Sequence, residues 1–189
     1  MSIKKIEFPC SRDVISSLNS GDQVILTGVL YMARDAAHKK MLKEYDEKGK
    51  FPFDIKNQGI YYAGPAPAAP GKIIGPVGPT TSMRMDSFTP LLLDMGLALM
   101  IGKGNRSSDV KNSIIKNSCV YMAATGGAAA LISRCIKKQE IIAYKELGAE
   151  ALRKIYIEDF PAIVIIDSNG NNLYETGKAK YRKTEIENA

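Results

Sequence analysis

Cysteine is scarce in this chain, and the three present, Cys10, Cys119 and Cys135, lie far apart with no CxxC pair among them. An odd number at such spacing argues against a disulfide framework and supplies no recognisable cluster-binding triplet. Cys119 opens an apolar, strand-like run and Cys135 falls in a helical stretch, so both read as small buried hydrophobes. Long hydrophobic runs are missing too: residues 91–93 and 97–101 are interrupted by Asp94, Gly96 and Gly102, too short for a membrane span. The opening Met1-Ser2-Ile3-Lys4-Lys5 lacks the apolar core of a secretory signal, and the cytoplasm is the expected compartment. No P-loop and no dinucleotide fingerprint occurs, which argues against a nucleotide ligand. Neither an internal repeat nor a second-domain boundary is visible.

The 189 residues suit a single domain, 1–189, and 45% apolar residues against 24% charged ones suit a soluble globular core. The formal net charge of +6 invites a nucleic-acid reading. Against it, acids interrupt the basic residues, as in Lys43-Glu44 and Asp46-Glu47-Lys48. Only Lys178, Lys180, Arg182 and Lys183 approach a basic tail, read here as a solvated terminal segment. The expectation is no nucleic acid and no membrane; the mild positive balance fits equally well with drawing in a dianionic metabolite.

Periodicity and turn residues predict strands at 24–30, 60–63, 97–101, 119–123, 141–144, 155–158 and 162–167, with helices at 35–45, 87–95, 108–117 and 128–136. Pro90 is tolerated only in a first helical turn. Ser168-Asn169-Gly170-Asn171 predicts a turn joining the last long strand to a short partner at 172–175. Strands alternating with helices indicate an α/β domain with a mixed or parallel sheet, whose ligands collect in loops after the strands. The segments 27–34, 102–106 and 125–127 occupy such places. Gly126-Gly127 at a helix start suits either an anion or close packing, and is not counted as a site.

Chemistry concentrates in Gly75-Pro76-Val77-Gly78-Pro79-Thr80-Thr81-Ser82-Met83-Arg84-Met85-Asp86. Prolines fix φ, glycines let backbone N–H groups approach a ligand, and Arg84 presents a planar fork suited to a carboxylate or phosphate. Arg84 equally suits a pairing with Asp86. Arg34 lies where a strand passes into a helix, with His38 one turn later; local pairing with Asp35 and a satisfied core histidine are the plain alternatives. Thr80 and Thr81 can serve as turn hydroxyls, and Lys103, between two glycines, as a surface lysine.

Three blocks in order resemble one family. Gly75-Pro76-Val77-Gly78-Pro79-Thr80-Thr81 through Arg84-Met85-Asp86, Thr27-Gly28 followed by Arg34-Asp35-Ala36-Ala37-His38, and Ile101-Gly102-Lys103-Gly104-Asn105-Arg106-Ser107 are similar to the C-terminal domain of class I iron–sulfur fumarases and to the β subunits of L-tartrate dehydratases. The resemblance covers about residues 21–178 and implies a compact swivelling β/β/α domain. It implies that Arg34 and Arg84 hold the two carboxylates of a four-carbon substrate, and that Thr80 takes the proton from C3 of malate. Lys103 is implied as an active-site cation and Thr81 as a substrate-binding hydroxyl, with Ser82 and His38 as candidate support; Arg106 reads as structural.

The resemblance further implies a 4Fe-4S cluster held by three cysteines of a separate α subunit and not by this chain. The chain then reads as a β subunit closing half of an active site, inactive alone and part of a higher-order hetero-oligomer. Fumarate hydratase is the leading reading, since Lys103-Gly104-Asn105-Arg106-Ser107 lacks the glycine-rich pattern of the tartrate type. L-tartrate dehydratase is the rival. A non-catalytic anion-binding module, which needs no cluster-bearing partner, is the alternative from another class.

Overall fold

Apolar residues at every second position turn Ile6 and Phe8 of β1 (Lys4–Phe8) inward and leave Lys5 and Glu7 outside. The computed structural model describes residues 3–125 and 127–182; Gly126 and Lys183, considered above, lie outside the described residues. Ser11 caps the short α1 (Arg12–Ser16) by accepting from the Val14 N–H. Then come β2 (Gln23–Met32) and α2 (Asp35–Lys48), which ends at Gly49 in the left-handed region, φ 68°. β3 (Gly59–Tyr61), α3 (Thr89–Asp94), β4 (Leu99–Gly102), α4 (Ser108–Lys116) and β5 (Val120–Ala123) follow the predicted order. Pro90 sits in the first turn of α3, where its missing N–H costs nothing.

The last third departs from expectation in three places. α5 (Ala129–Cys135) runs directly into β6 (Ile136–Ala143), which is longer than the strand expected at 141–144. The two strands expected at 155–158 and 162–167 are one strand, β7 (Leu152–Ile166). Asp159, at φ 51°, forms the bulge between its halves, and its N–H donates to Thr27 Oγ1 at 3.2 Å. Pro161 is accommodated because pairing with β6 stops at Ile157 and pairing with β5 starts only at Ile163. Finally, the strand expected at 172–175 is the start of α6 (Leu173–Tyr181). The Asn172 side chain accepts from the Tyr174 N–H, so capping wins over strand pairing and only one bridge to Ile166 remains.

The sheet order is β1-β2-β3-β4-β5-β7-β6, with β2 also paired to β7. β2, β3, β4, β5 and β7 therefore close into a ring, and β1 and β6 extend it on half of β2 and half of β7. β2 to β5 run parallel, while β7 is antiparallel to β2, β5 and β6, which makes the sheet mixed as expected. Inside the ring Leu26, Leu30, Leu99, Ile101, Val120, Met122, Ile157 and Phe160 pack together. Alternate residues of the same strands, Tyr31, Ile60, Met100 and Tyr121, face outward into a second cluster with Ala37, Met41, Leu92, Val110 and Ile114 of the helices. Each such fully buried large apolar side chain contributes roughly 1.5–3 kcal/mol. The architecture is one barrel-like α/β unit with its helices outside, in keeping with the swivelling β/β/α expectation.

Candidate functional site

Four parallel strands bring their C-terminal ends to one rim, the usual ligand position in such sheets. Arg34 follows β2, Lys103 follows β4, and the Gly/Pro loop leaves from the end of β3. That loop returns beside its own origin: Ala63 bridges Pro79, and the Thr80 N–H donates to Tyr62 O at 2.8 Å. It closes on itself through Ala66 N–H to Pro76 O, 3.0 Å. A Cβ on Gly75 would stand 2.2 Å from Ala66 O, so only glycine permits this closure. Thr81 then bridges Lys103, which sets the threonine pair alongside the end of β4. Neither threonine hydroxyl has a partner among the described residues, nor has the Lys103 ammonium; Thr81 and Lys103 are exposed and Thr80 half-buried.

Ser82 turns the other way. Its hydroxyl is fully buried, accepts from the Lys103 N–H at 3.1 Å and donates to Tyr121 OH at 2.9 Å, and Tyr121 donates onward to Gly104 O. It braces the lysine loop rather than bonding to Thr80. Gly102 is required there, since a Cβ would meet Ser82 Oγ at 2.0 Å.

Both arginines of the rim face acids. Arg84 Nη2 donates to Asp35 Oδ2 at 2.8 Å, and Arg34 Nη2 lies 3.4 Å from Glu150 Oε1. Arg34 Nε is 3.8 Å from Asp35 Oδ1. Asp35 thus stands between the two guanidinium groups. The alternative pairing of Arg84 with Asp86 does not occur, because Asp86 is taken. Its Oδ1 accepts from Arg106 Nε at 2.7 Å and its Oδ2 from the Ser107 N–H at 2.6 Å. Arg106 is buried between the rings of Tyr62 and Tyr121 and donates a further hydrogen bond to Thr89 Oγ1. The Asp86–Arg106 pair therefore joins the threonine loop to the lysine loop from beneath.

His38 also lies beneath the rim, packed against Tyr62 and Phe88. Its Nδ1–H donates to Arg34 O at 2.8 Å, which leaves Nε2 bare and buried without a partner. Burial, with Arg106 adding to it, lowers the imidazole pKa from 6.5 to about 4, although the bond to Arg34 O opposes this. Between those values the unfolded chain binds a proton that the folded one refuses, so stability falls as pH falls. The expected loss from pH 7 to pH 5 is about 2 kcal/mol. Urea unfolding at both pH values checks this. His38 is the only histidine, so a His38→Phe variant should lack the component that sets in below about pH 6.5; an unchanged slope would refute it.

Glu150 and Tyr121 escape sequence reasoning. Glu150 ends a 3-10 segment, Lys145–Glu150, remote in sequence from Arg34, and carries no local signal. Tyr121 reads only as an apolar strand residue. A cavity of about 490 Å³ touches the Gly/Pro loop at Gly75 and Pro76, and another of about 380 Å³ lies elsewhere; Arg34, Thr80, Thr81, Arg84 and Lys103 line neither.

The family model for the fumarase C-terminus matches residues 2–177. The anaerobic class I fumarate hydratase of Escherichia coli is 43% identical over 152 residues, covering 79% of this chain and 28% of that protein. Fumarate hydratase 2 of Leishmania major is 40% identical over 165 residues, covering 86% of this chain and 29% of that protein. The putative L(+)-tartrate dehydratase subunit beta of Methanocaldococcus jannaschii is 34% identical over 176 residues, covering 89% of this chain and 90% of that subunit. The chain thus spans less than a third of the fumarate hydratases it matches, and nearly all of the tartrate dehydratase subunit.

Proposed function

The chain belongs to the fumarase C-terminus family of hydro-lyases, and from that premise we propose that it is the β part of a fumarate hydratase, interconverting malate and fumarate with a cluster-bearing α subunit. The observation that carries the reading is the convergence of Arg34, Thr80, Arg84 and Lys103, from three separated stretches, on one open rim. Arg34 and Arg84 hold the two substrate carboxylates, fixing rotation as well as position. Thr80 Oγ, as the alkoxide, takes the C3 proton while the C2–O bond breaks and hydroxide leaves. A neutral threonine is far too weak a base, so the alkoxide needs neighbouring positive charge, which Lys103 and Arg84 supply. Thr81 adds a hydroxyl beside it.

A 4Fe-4S cluster, when bound in the complex, supplies a Lewis acid for the departing hydroxyl. This chain's own donors do not fit such a group. Among the described residues no three His, Cys, Asp or Glu side chains come together, and the thiols sit on separate elements. Burial raises the pKa of all three thiols, which opposes the thiolate a cluster needs. The cluster, and the acid that protonates the leaving group, are therefore assigned to the α subunit.

L-tartrate dehydratase remains the second reading, favoured by the relative that matches this chain along nearly its full length. The test is anaerobic assay of the chain co-expressed with its α partner, using malate and L-tartrate side by side. Activity requiring both chains supports the half-site, and the preferred acid decides the substrate. No association and no turnover of either acid would leave the anion-binding module as the better reading.

A further inference from the structure

Arg34 is held in place by groups that reach it from distant parts of the chain. Glu150 Oε2 accepts from the Ala36 N–H in the first turn of α2 at 3.2 Å, and Oε1 faces Arg34 Nη2 at 3.4 Å. One carboxylate therefore ties the guanidinium to the helix that follows it. Gly64 leaves space for the arginine stem beside the segment that carries Glu150: a Cβ there would stand 2.9 Å from Arg34 Cδ and 2.9 Å from Ala149 O. Arg34 Nε is buried without a hydrogen bond, Asp35 Oδ1 is equally unpartnered, and Nη1 takes no acceptor among the described residues. The guanidinium is thus held by Glu150 at Nη2 and faces Asp35 at its buried Nε, which leaves Nη1 unused among the described residues.

We infer that Glu150 is a positioning residue for dicarboxylate binding, holding Arg34 against α2 so that its unused Nη1 is pre-set for an arriving carboxylate. The inference rests on the reading of Arg34 as a substrate ligand. Its physical basis is preorganisation: a long flexible side chain ordered before binding loses less entropy when the ligand arrives. Asp35 adds a second negative charge between Arg34 and Arg84, which keeps the two cations close despite their repulsion.

Glu150→Gln separates positioning from capping, because the amide oxygen still accepts from Ala36 while the charge facing Arg34 is lost. In the complex with the α subunit, malate kinetics should give a KM raised about tenfold with kcat changed less than about threefold. Calorimetry with succinate, a non-reacting dicarboxylate, should show a matching loss of affinity. Glu150→Ala should show the same KM change together with a lower melting temperature, since the cap goes too. A Gln variant with wild-type KM and succinate affinity would overturn the positioning role. Arg34→Ala run in parallel keeps the two ideas apart: if it weakens succinate while Glu150→Gln does not, only the positioning role falls. If Arg34→Ala itself leaves succinate affinity unchanged, the substrate-ligand reading falls and takes the inference with it.

Discussion

Arg84→Ala is expected to lower kcat/KM for malate by about 100- to 1,000-fold while leaving the fold intact. The size follows from losing a charge-assisted, fork-shaped contact to one substrate carboxylate and, with it, one of two points that fix substrate orientation. Stability should barely change: the Arg84 side chain is 48% exposed and Asp35 is its only side-chain partner among the described residues. Such a pair is worth about 1 kcal/mol or less. Arg84→Lys should fall in between, because it restores charge without the planar fork. Steady-state kinetics of the reconstituted enzyme, with a thermal melt of each variant, decides the matter. Activity within threefold of the parent would remove Arg84 from the site.

Two residues along, the opposite outcome is expected. Asp86→Ala strips the charge partner from Arg106, whose side chain is 0% exposed against 10% for Asp86. A buried cation left unpaired costs about 3–5 kcal/mol, and the Ser107 N–H at the cap of α4 loses its acceptor as well. For a domain of this size that corresponds to a melting temperature lower by about 10 °C. Activity should decline too, because the pair joins the loops carrying Thr80 and Lys103. Asp86→Asn, which keeps an acceptor but not the charge, should lose less. Chemical denaturation is the check, and a loss below about 1 kcal/mol for Asp86→Ala would refute the account.

Legibility from sequence followed the range of the interactions. β2 to β5 and α2 to α4 were readable because each carries a local periodicity or a turn or capping residue at its end, such as Gly49 after α2, Pro90 in the first turn of α3 and Ser107 at the cap of α4. β1 was missed because five residues, with only Ile6 and Phe8 apolar and inward, make too short a pattern. β7 was read as two strands because Asp159 and Pro161 look like breakers; a bulge and a gap in pairing absorb them, and both depend on neighbours far away in sequence. The same holds at the rim. Its threonines, arginines and lysine were visible as glycine-punctuated stretches after strands, whereas what holds them was not. Asp86 was within view but on the wrong arginine, and nothing local marks Glu150 as the partner of Arg34 and Ala36.

The seam between β2 and β7 has a consequence for biosynthesis. Gln23–Met32 meets a partner, Leu152–Ile166, that is made only after β3, β4, β5 and β6. While it is being translated, β2 can pair with β1 and β3, but its other edge has nothing to bond to. The rim can assemble in outline, yet Arg34 gains its Glu150 anchor only when the segment just before β7 has emerged. Such long-range closure carries a high loop-closure cost and slows folding. Until Leu152–Ile166 has emerged, the nascent segment is therefore an open sheet, and it closes into a ring, with Arg34 held by Glu150, only once that strand is made.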